Sequence, residues 1–315
     1  MHRTARKILR AVANYDPDYY DMCADANEQF FAQLYIERIQ RCAEAAGIRP
    51  PATEAGTPAA SFGEAKRAGV ADGSAERRSL RPTEPGAPRV ARGGDGSAGV
   101  GGRPRPTLLE AGCQAGRLVI PFAKLGFDVT GIDASGFALR RAKQHARSAG
   151  VAATFLQGDL LRILPTHAAR YDIVVCAEVV YLSPDYRQLL RVLANAVRPG
   201  GLLCVSHRSK FYYLFEAIRQ YDLETARAVL QTREGRFRDS AYFNWQTEED
   251  LRALYHEVGL TWVAMYPIDR FAWLSGISPS QLTSDQRAQW LRLELESGTL
   301  APTCGRYLLV MATRP

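Results

Sequence analysis

The 315-residue chain contains no run of 18 or more apolar residues and no apolar core of a signal peptide. These two absences argue against a membrane-spanning helix and against secretion, and they predict a soluble, cytoplasmic protein. The six cysteines include no C-x-x-C pair, and Cys176 and Cys204 lie inside apolar runs. That pattern favours buried, reduced thiols over disulfides or a zinc site, so no metal is expected.

A concentrated basic region is also missing, although the net charge is +7. Residues 1–49 carry 7 basic and 7 acidic side chains, residues 50–106 carry 9 and 6, and residues 107–315 carry 24 and 20. Binding to a phosphate backbone usually needs basic side chains clustered on one face. The even spread therefore disfavours nucleic acid as a partner.

The most informative stretch is residues 108–116, where an apolar run reaches Glu110 and is followed by Gly112 and Gly116. Residues 117–124 have a helical pattern, so the glycines would form a turn that presents backbone N–H groups at a helix N-terminus. Glycine tolerates positive φ and lets a ligand approach the backbone. The stretch predicts a strand that ends in a nucleotide-binding turn.

Asp133 lies 23 residues beyond Glu110, at the end of the next predicted strand. A carboxylate at that position can accept both hydroxyls of a ribose, which predicts an adenosine ligand. The NAD fingerprint G-x-G-x-x-G fails, because Gln114 and Arg117 replace its second and third glycines. Glu110 would repel a pyrophosphate but could hold the ammonium of a methionine. Methyl transfer is therefore favoured over hydride transfer.

Three further motifs follow the turn in order, namely Gly131-Ile132-Asp133, Gln157-Gly158-Asp159 and Arg198-Pro199-Gly200-Gly201. Together with residues 108–116, this series resembles the class I S-adenosylmethionine-dependent methyltransferases. The resemblance extends over roughly residues 107–265, and it implies S-adenosyl-L-methionine as the cofactor.

The resemblance also implies roles for residues at the strand ends, with Asp133 holding the ribose hydroxyls. The residues implied to face the methionine part are Glu110, Gly112 and Ala177, and those implied to face the adenine are Asp159 and Leu160. The predicted cofactor-binding set is completed by Gln114, which replaces the middle glycine of the family's turn, and by Gly116 and Ala134.

Strand and helix patterns alternate beyond residue 106, which indicates a parallel sheet with helices on both faces. We expect an α/β, Rossmann-like fold with a seven-stranded, mostly parallel sheet whose last strand is antiparallel. The predicted strands are 107–111, 127–132, 153–157, 171–176, 201–206, 260–266 and 306–312. The predicted helices are 27–46, 116–124, 135–149, 185–197, 210–220 and 247–257.

Residues 107–315 are accordingly the predicted methyltransferase domain. Residues 50–106 contain 11 Gly and 8 Pro and cannot bury enough apolar surface to offset the entropy of ordering, which predicts a disordered insertion. Residues 1–49 are predicted to form a helical lid, because segments before the first strand often close over the cofactor in this family. Residues 267–305 predict a helical excursion that either covers the acceptor pocket or packs on the sheet edge.

Candidate acceptor residues follow the fourth and fifth strands, whose carboxyl ends border the ligand crevice of such a sheet. His207 is a candidate general base, with a hydrogen-bonded structural histidine as the alternative. Tyr181 is the second candidate catalytic residue. Many relatives have E-x-x-E-H after the fourth strand, but Tyr181 and Leu182 occupy its last two places, so a metal or base role is not transferred. The candidate substrate-binding residues are Arg208, Lys210, Tyr19 and Tyr20.

Three functions are consistent with these patterns. The first is a methyltransferase that acts on O, N or C of a small-molecule acceptor by in-line displacement. The second is an RNA or protein methyltransferase that uses the basic insertion. The third is a non-catalytic protein of the same fold that binds partners through residues 50–106.

Overall fold

The computed structural model describes residues 25–50, 104–167, 170–237 and 242–315. Its helices are α1 (Ala26–Ala45), α2 (Val119–Lys124), α3 (Gly136–Ser148), α4 (Leu160–Thr166), α5 (Tyr186–Ala196), α6 (Lys210–Arg219), α7 (Leu223–Gln231), α8 (Glu248–Glu257), α9 (Phe271–Ser275) and α10 (Ser284–Glu296). Its strands are β1 (Thr107–Ala111), β2 (Asp128–Asp133), β3 (Thr154–Gln157), β4 (Tyr171–Cys176), β5 (Val197–Arg208), β6 (Glu234–Arg236), β7 (Tyr242–Asn244), β8 (Thr261–Ile268) and β9 (Tyr307–Thr313).

Seven of these strands form one sheet in the order β3-β2-β1-β4-β5-β9-β8. Strands β1 to β5 pair in parallel, and β9 runs antiparallel to both of its neighbours. The predicted Rossmann-like α/β fold is therefore confirmed, including the antiparallel last strand. The strand order reverses between β1 and β4, and a ligand crevice lies at such a switch point, beyond the carboxyl ends of the strands.

The central strands are buried on both faces. Leu108 and Ile173 belong to a core shared with α1, α2 and α10, whereas their neighbours Leu109 and Val174 belong to a second core shared with α5 and α8. Successive side chains of a strand point to opposite faces of the sheet, so a strand that contacts both cores needs apolar residues on both faces. The sequence of each central strand is therefore an almost continuous apolar run.

Two elements begin three or four residues away from their predicted starts. Helix α2 begins at Val119 instead of 116, because Gly116 has a φ of +87° and still belongs to the turn. Strand β5 begins at Val197 instead of 201, since Val197 already pairs with Tyr171, and the register between β4 and β5 shifts after this pair. Helices α4 and α7 and strands β6 and β7 are additional elements that the sequence patterns did not predict, whereas α9 and α10 lie within the predicted helical excursion of residues 267–305.

Helix α1 forms where a helix over 27–46 was predicted, and it is tied to the C-terminal half of the chain. The buried Arg38 donates from Nη2 to the carbonyls of Glu294 and Leu295, at 2.8 and 2.7 Å.

Residues 1–24, which include Tyr19 and Tyr20, and residues 51–103 of the predicted insertion lie outside the described residues. The lid and the disordered insertion stay predictions. In the described part of the chain, every helix is too short or too polar to span a membrane.

Candidate active site

The turn after β1 adopts the left-handed backbone that its glycines permit. Gly112 and Gly116 have φ of +84° and +87°, and Gln114, at the family's middle glycine, has a φ of +45°. The N–H groups of Gly112, Gln114 and Gly116 are all paired within the protein, to Ile132 O, Asp133 Oδ2 and Cys113 O respectively. The bond from Gln114 N to Asp133 ties the turn to the end of β2.

Gly112 is required here by a protein neighbour. A Cβ at this position would collide with Val179, which follows β4 and packs directly on the turn. The close approach that the sequence attributed to a ligand is thus made by Val179.

Asp133 joins the ends of two strands. Its Oδ2 accepts from Gln114 N at 2.9 Å, and its Oδ1 accepts from Ser135 N at 2.8 Å. Burial raises the pKa of this carboxyl, and the backbone donors oppose that rise. Each carboxylate oxygen accepts more than one hydrogen bond, so both keep acceptor capacity for a ligand.

Glu110 is buried within β1, and its Oε2 has no hydrogen-bond partner among the described residues. Burial raises the pKa of Glu110 to about 8, against the attraction of Arg117. The carboxyl is therefore largely protonated at neutral pH. A cationic group placed against Oε2 would favour the ionised form.

The described residues also contain a charge cluster that the sequence analysis did not predict. Arg117 Nη1 lies 2.5 Å from Glu28 Oε2 on α1, and its Nη2 lies 2.6 Å from Glu178 Oε1 after β4. The Arg117 side chain is only 12% exposed. Burial raises the pKa of Glu28 and opposes ionisation of Glu178, but Arg117 holds the pKa of Glu178 below its usual value. The guanidinium thus joins α1, the turn and the segment after β4.

The other predicted cofactor residues lie at the carboxyl ends of β2, β3 and β4. Asp159 is exposed and caps α4 by accepting from Leu161 N at 2.9 Å, with Leu160 as the first helical residue. Ala134 O accepts from Gln157 Nε2 at 3.3 Å. Ala177 is buried directly after β4. Their roles toward a cofactor stay predictions.

Arg208 lies inside a group of tyrosines. Its guanidinium carbon lies 4.3 to 4.8 Å from the ring centres of Tyr307, Tyr212 and Tyr181. Nη2 donates to the hydroxyls of Tyr181 and Tyr307 at 3.4 and 3.3 Å. The predicted substrate clamp Arg208 and the predicted catalytic Tyr181 are therefore engaged with each other, and their roles toward a substrate stay predictions.

His207 and Lys210 are directed to structural partners. His207 is 1% exposed, and its Nε2 lies 3.0 Å from the hydroxyl of Tyr255 on α8. Burial lowers the pKa of His207 to about 3, so it remains neutral. Lys210 Nζ donates to the carbonyls of Leu230 and Thr232 at the end of α7. This geometry favours the structural alternative for His207, whereas the role of Lys210 toward a substrate stays a prediction.

A cavity of about 470 Å³ opens beyond the ends of β5 and β8. The aromatic residues on its wall are Phe31 from α1, Tyr212 from α6 and Trp273 from α9. Its polar wall includes Glu28, Asp269 and Arg306. Arg208, Lys210 and His207 are not among the lining residues. The predicted excursion at 267–305 therefore supplies part of the wall, while its role as a cover stays a prediction.

Comparison with known proteins identifies the class of domain. A family model described as a methyltransferase domain matches residues 108–201. The ubiquinone biosynthesis O-methyltransferase of Proteus mirabilis is 27% identical over 149 residues, which cover 46% of this chain and 61% of that protein. The enzyme of the same name from Caulobacter vibrioides is 36% identical over 100 residues, which cover 32% of this chain and 40% of that protein. The chain thus spans less than two thirds of the length of each of these relatives.

Two solved structures are similar to this chain at low identity. Magnesium protoporphyrin IX methyltransferase from Synechocystis, with bound SAH, is 19% identical, with a TM-score of 0.46 and coverage of 67% of this chain and 75% of that chain. A SAM-dependent methyltransferase from Methanosarcina mazei is 18% identical, with a TM-score of 0.47 and coverage of 67% of this chain and 92% of that chain. The family match confirms, for residues 108–201, the methyltransferase resemblance indicated by the sequence motifs.

The Arg117 cluster generates a stability prediction. Replacing Arg117 by Ala would leave the carboxylates of Glu28 and Glu178 side by side, without their cation. We expect the free energy of unfolding to fall by roughly 2 to 4 kcal/mol, as measured by urea denaturation.

The matched control is Arg191→Ala, which breaks an ion pair with Glu257 at 3.4 Å in which both side chains are more than half exposed. This change should cost less than about 0.5 kcal/mol. Equal effects of the two substitutions would contradict a special role of Arg117.

Proposed function

We propose that this chain is an S-adenosylmethionine-dependent methyltransferase that transfers a methyl group to a small-molecule acceptor. The observation that carries the proposal is the position of Glu110 and Asp133, at the carboxyl ends of the neighbouring strands β1 and β2. Both lie in the segment that matches a methyltransferase domain. In an open α/β sheet, an adenosine ligand binds beyond these strand ends.

The residues at this edge fit the charges of S-adenosylmethionine. The buried, unpartnered Oε2 of Glu110 is suited to a cation, and this cofactor has both an ammonium and a sulfonium group. Asp133 retains acceptor capacity for the ribose hydroxyls. Asp159 and Leu160 would contact the adenine. The remaining cofactor contacts in this proposal are Gly112, Gln114, Gly116, Ala134 and Ala177.

The cavity supports a small-molecule acceptor. Its volume of about 470 Å³ lies in the range of small-ligand sites. The curated relatives are named O-methyltransferases, which favours an oxygen acceptor, and the even spread of charge gives no support to RNA. Tyr19 and Tyr20 would add to the acceptor site from the N-terminal segment. A cytoplasmic location is part of the same proposal.

The mechanism requires alignment and exclusion of water. Bound S-adenosylmethionine would supply a methyl group on a positively charged sulfur. The chain would hold the acceptor in line with that methyl group, which is the main contribution of protein to such a displacement. Arg117 links α1, whose Glu28 lines the cavity, to the cofactor turn, and so fixes the distance between the two sites.

Cofactor binding should release a proton from Glu110. The pKa of Glu110 is about 8, and a bound cation would lower it, so the protonated carboxyl ionises on binding at pH 7. We expect release of about one proton per S-adenosylmethionine. The measurement is calorimetric titration in two buffers with different ionisation enthalpies.

The matched variant is Glu110→Gln, which keeps the shape of the side chain and removes its ionisation. It should bind the cofactor more weakly and release no proton. An identical proton count in both proteins would show that Glu110 does not face the cationic group. Wild-type protein that is folded and binds neither S-adenosylmethionine nor S-adenosylhomocysteine would contradict the proposed function itself.

Asp133→Ala should weaken cofactor affinity by roughly 10- to 100-fold, because two ribose hydroxyls and the N–H of Gln114 lose their acceptor. The control is Asp128→Ala, which removes an exposed carboxylate at the opposite end of the same strand. Circular dichroism would verify that both variants are folded. Equal affinities would contradict the ribose role of Asp133.

A further inference from the structure

Asp269 occupies an unusual position at the end of β8. It is 2% exposed although it belongs to the cavity wall, and its backbone is left-handed with a φ of +54°. Oδ2 accepts from Arg306 Nη1 at 3.0 Å, whereas Oδ1 has no partner among the described residues. A strained residue that carries an unpartnered buried oxygen beside a cavity is typical of a functional site.

The charges around Asp269 favour proton exchange near neutral pH. Burial raises the pKa of Asp269 to about 7, while Arg306 opposes the rise and the carboxylates of Glu294 on α10 and Glu178 after β4 add to it. Arg270, next in the chain, donates to the carbonyls of Leu300 and Ser297. The other charged residues on the cavity wall are Glu28, Glu216 and Arg219.

Aromatic side chains lie beside these charges on the cavity wall and are suited to contact with a flat ring. The ring centres of Tyr212 and Trp273 lie 5.2 Å apart, Arg306 Cζ lies 5.8 Å from the centre of the Tyr212 ring, and Trp273 Nε1 donates to Glu216 Oε1 at 3.0 Å. Phe31 from α1 lines the same cavity.

The cavity also adjoins the proposed cofactor site, since Glu28 on its wall pairs with Arg117, the residue after the turn. A ring bound in this cavity would thus lie beside Asp269 and next to the proposed cofactor site.

We propose that Asp269 is the general base of the reaction and that it takes the proton from a hydroxyl group on an aromatic acceptor bound in this cavity. The inference rests on the proposed methyltransferase function, because it names the acceptor class and the base for that same site. It replaces His207, which is buried against α8.

The step balances in atoms and charge. The O–H bond of the acceptor breaks, and its proton moves to the Asp269 carboxylate, which becomes neutral. The acceptor oxygen uses its electron pair to form the new O–CH3 bond. The methyl–sulfur bond breaks, and its electron pair stays on sulfur, so the sulfonium donor becomes a neutral thioether. Asp269 then releases the proton to solvent.

The first test needs no cofactor and uses 4-nitrophenol, whose absorbance reports its ionisation. At pH 8 free nitrophenol and the Asp269 carboxyl are both mostly ionised, so two negative charges placed together in the cavity should share one proton. Binding to the wild-type protein should therefore reduce the phenolate absorbance, whereas Asp269→Asn should bind nitrophenol without that reduction. The control Glu294→Gln removes a buried carboxyl that does not line the cavity, and it should show the same reduction as the wild type. Absence of nitrophenol binding by the wild type, or an equal reduction in Asp269→Asn, would overturn the inference.

The second test is the pH dependence of methyl transfer to the same phenol. The wild-type kcat should rise with pH through an inflection near 7, because the base must be deprotonated. Asp269→Asn should lower kcat by at least about 100-fold and abolish the inflection. Glu294→Gln should move the inflection to lower pH, since it removes a carboxylate that raises the pKa of Asp269.

The outcomes separate the two proposals. If phenol ionisation depends on Asp269 but the protein neither binds the cofactor nor transfers methyl groups, the acceptor site stands and the proposed function fails. If methyl transfer occurs with the same kcat and pH profile in Asp269→Asn, the function stands and the base assignment fails. A wild-type profile without an inflection near pH 7 also overturns the assignment, even if the variant does not fold.

Discussion

The arrangement of residues at the carboxyl ends of the parallel strands depends on the buried guanidinium of Arg117. A cation in this place must be neutralised, and the carboxylates that do so come from helix α1 and from the segment after β4. Since burial penalises every unpaired charge, Arg117, Glu28 and Glu178 are stable only together. The cluster therefore couples three segments that are distant in the sequence, and it aligns the cofactor turn with the cavity.

This coupling explains why the turn tolerates Gln114. A residue other than glycine at positive φ is unfavourable by roughly 1 kcal/mol, so the position must be held by its surroundings. The N–H of Gln114 donates to Asp133, and the backbone on either side is fixed by β1 and by Arg117. The left-handed turn is thus formed by two glycines and by Gln114, whose N–H is held at the end of β2.

The sequence predicted what depends on local patterns. Continuous apolar runs that end in glycine and acidic residues revealed β1, β2 and β4 and the edge at which they end. Long-range pairs were missed, because Arg117 meets Glu28 and Glu178 across 89 and 61 residues. His207 illustrates a different difficulty. Its place at a strand end could be predicted, but the face of the sheet to which its ring points depends on register, which here directs it to α8.

Among the described residues, three buried carboxylate oxygens lack a hydrogen-bond partner, and two of them, on Glu110 and Asp269, lie at the same edge of the sheet. Folding alone does not favour such oxygens, because each forfeits the hydrogen bonds that water would supply. Their pKa values of about 8 and about 7 mean that both can exchange a proton near neutral pH. Glu110 lies at the turn, where a cationic ligand would ionise it, and Asp269 lies at the cavity, where an acceptor hydroxyl would protonate it. The two carboxyls therefore suit two different tasks in the proposed reaction: Glu110 is placed to bind a cationic ligand, and Asp269 is placed to accept a proton.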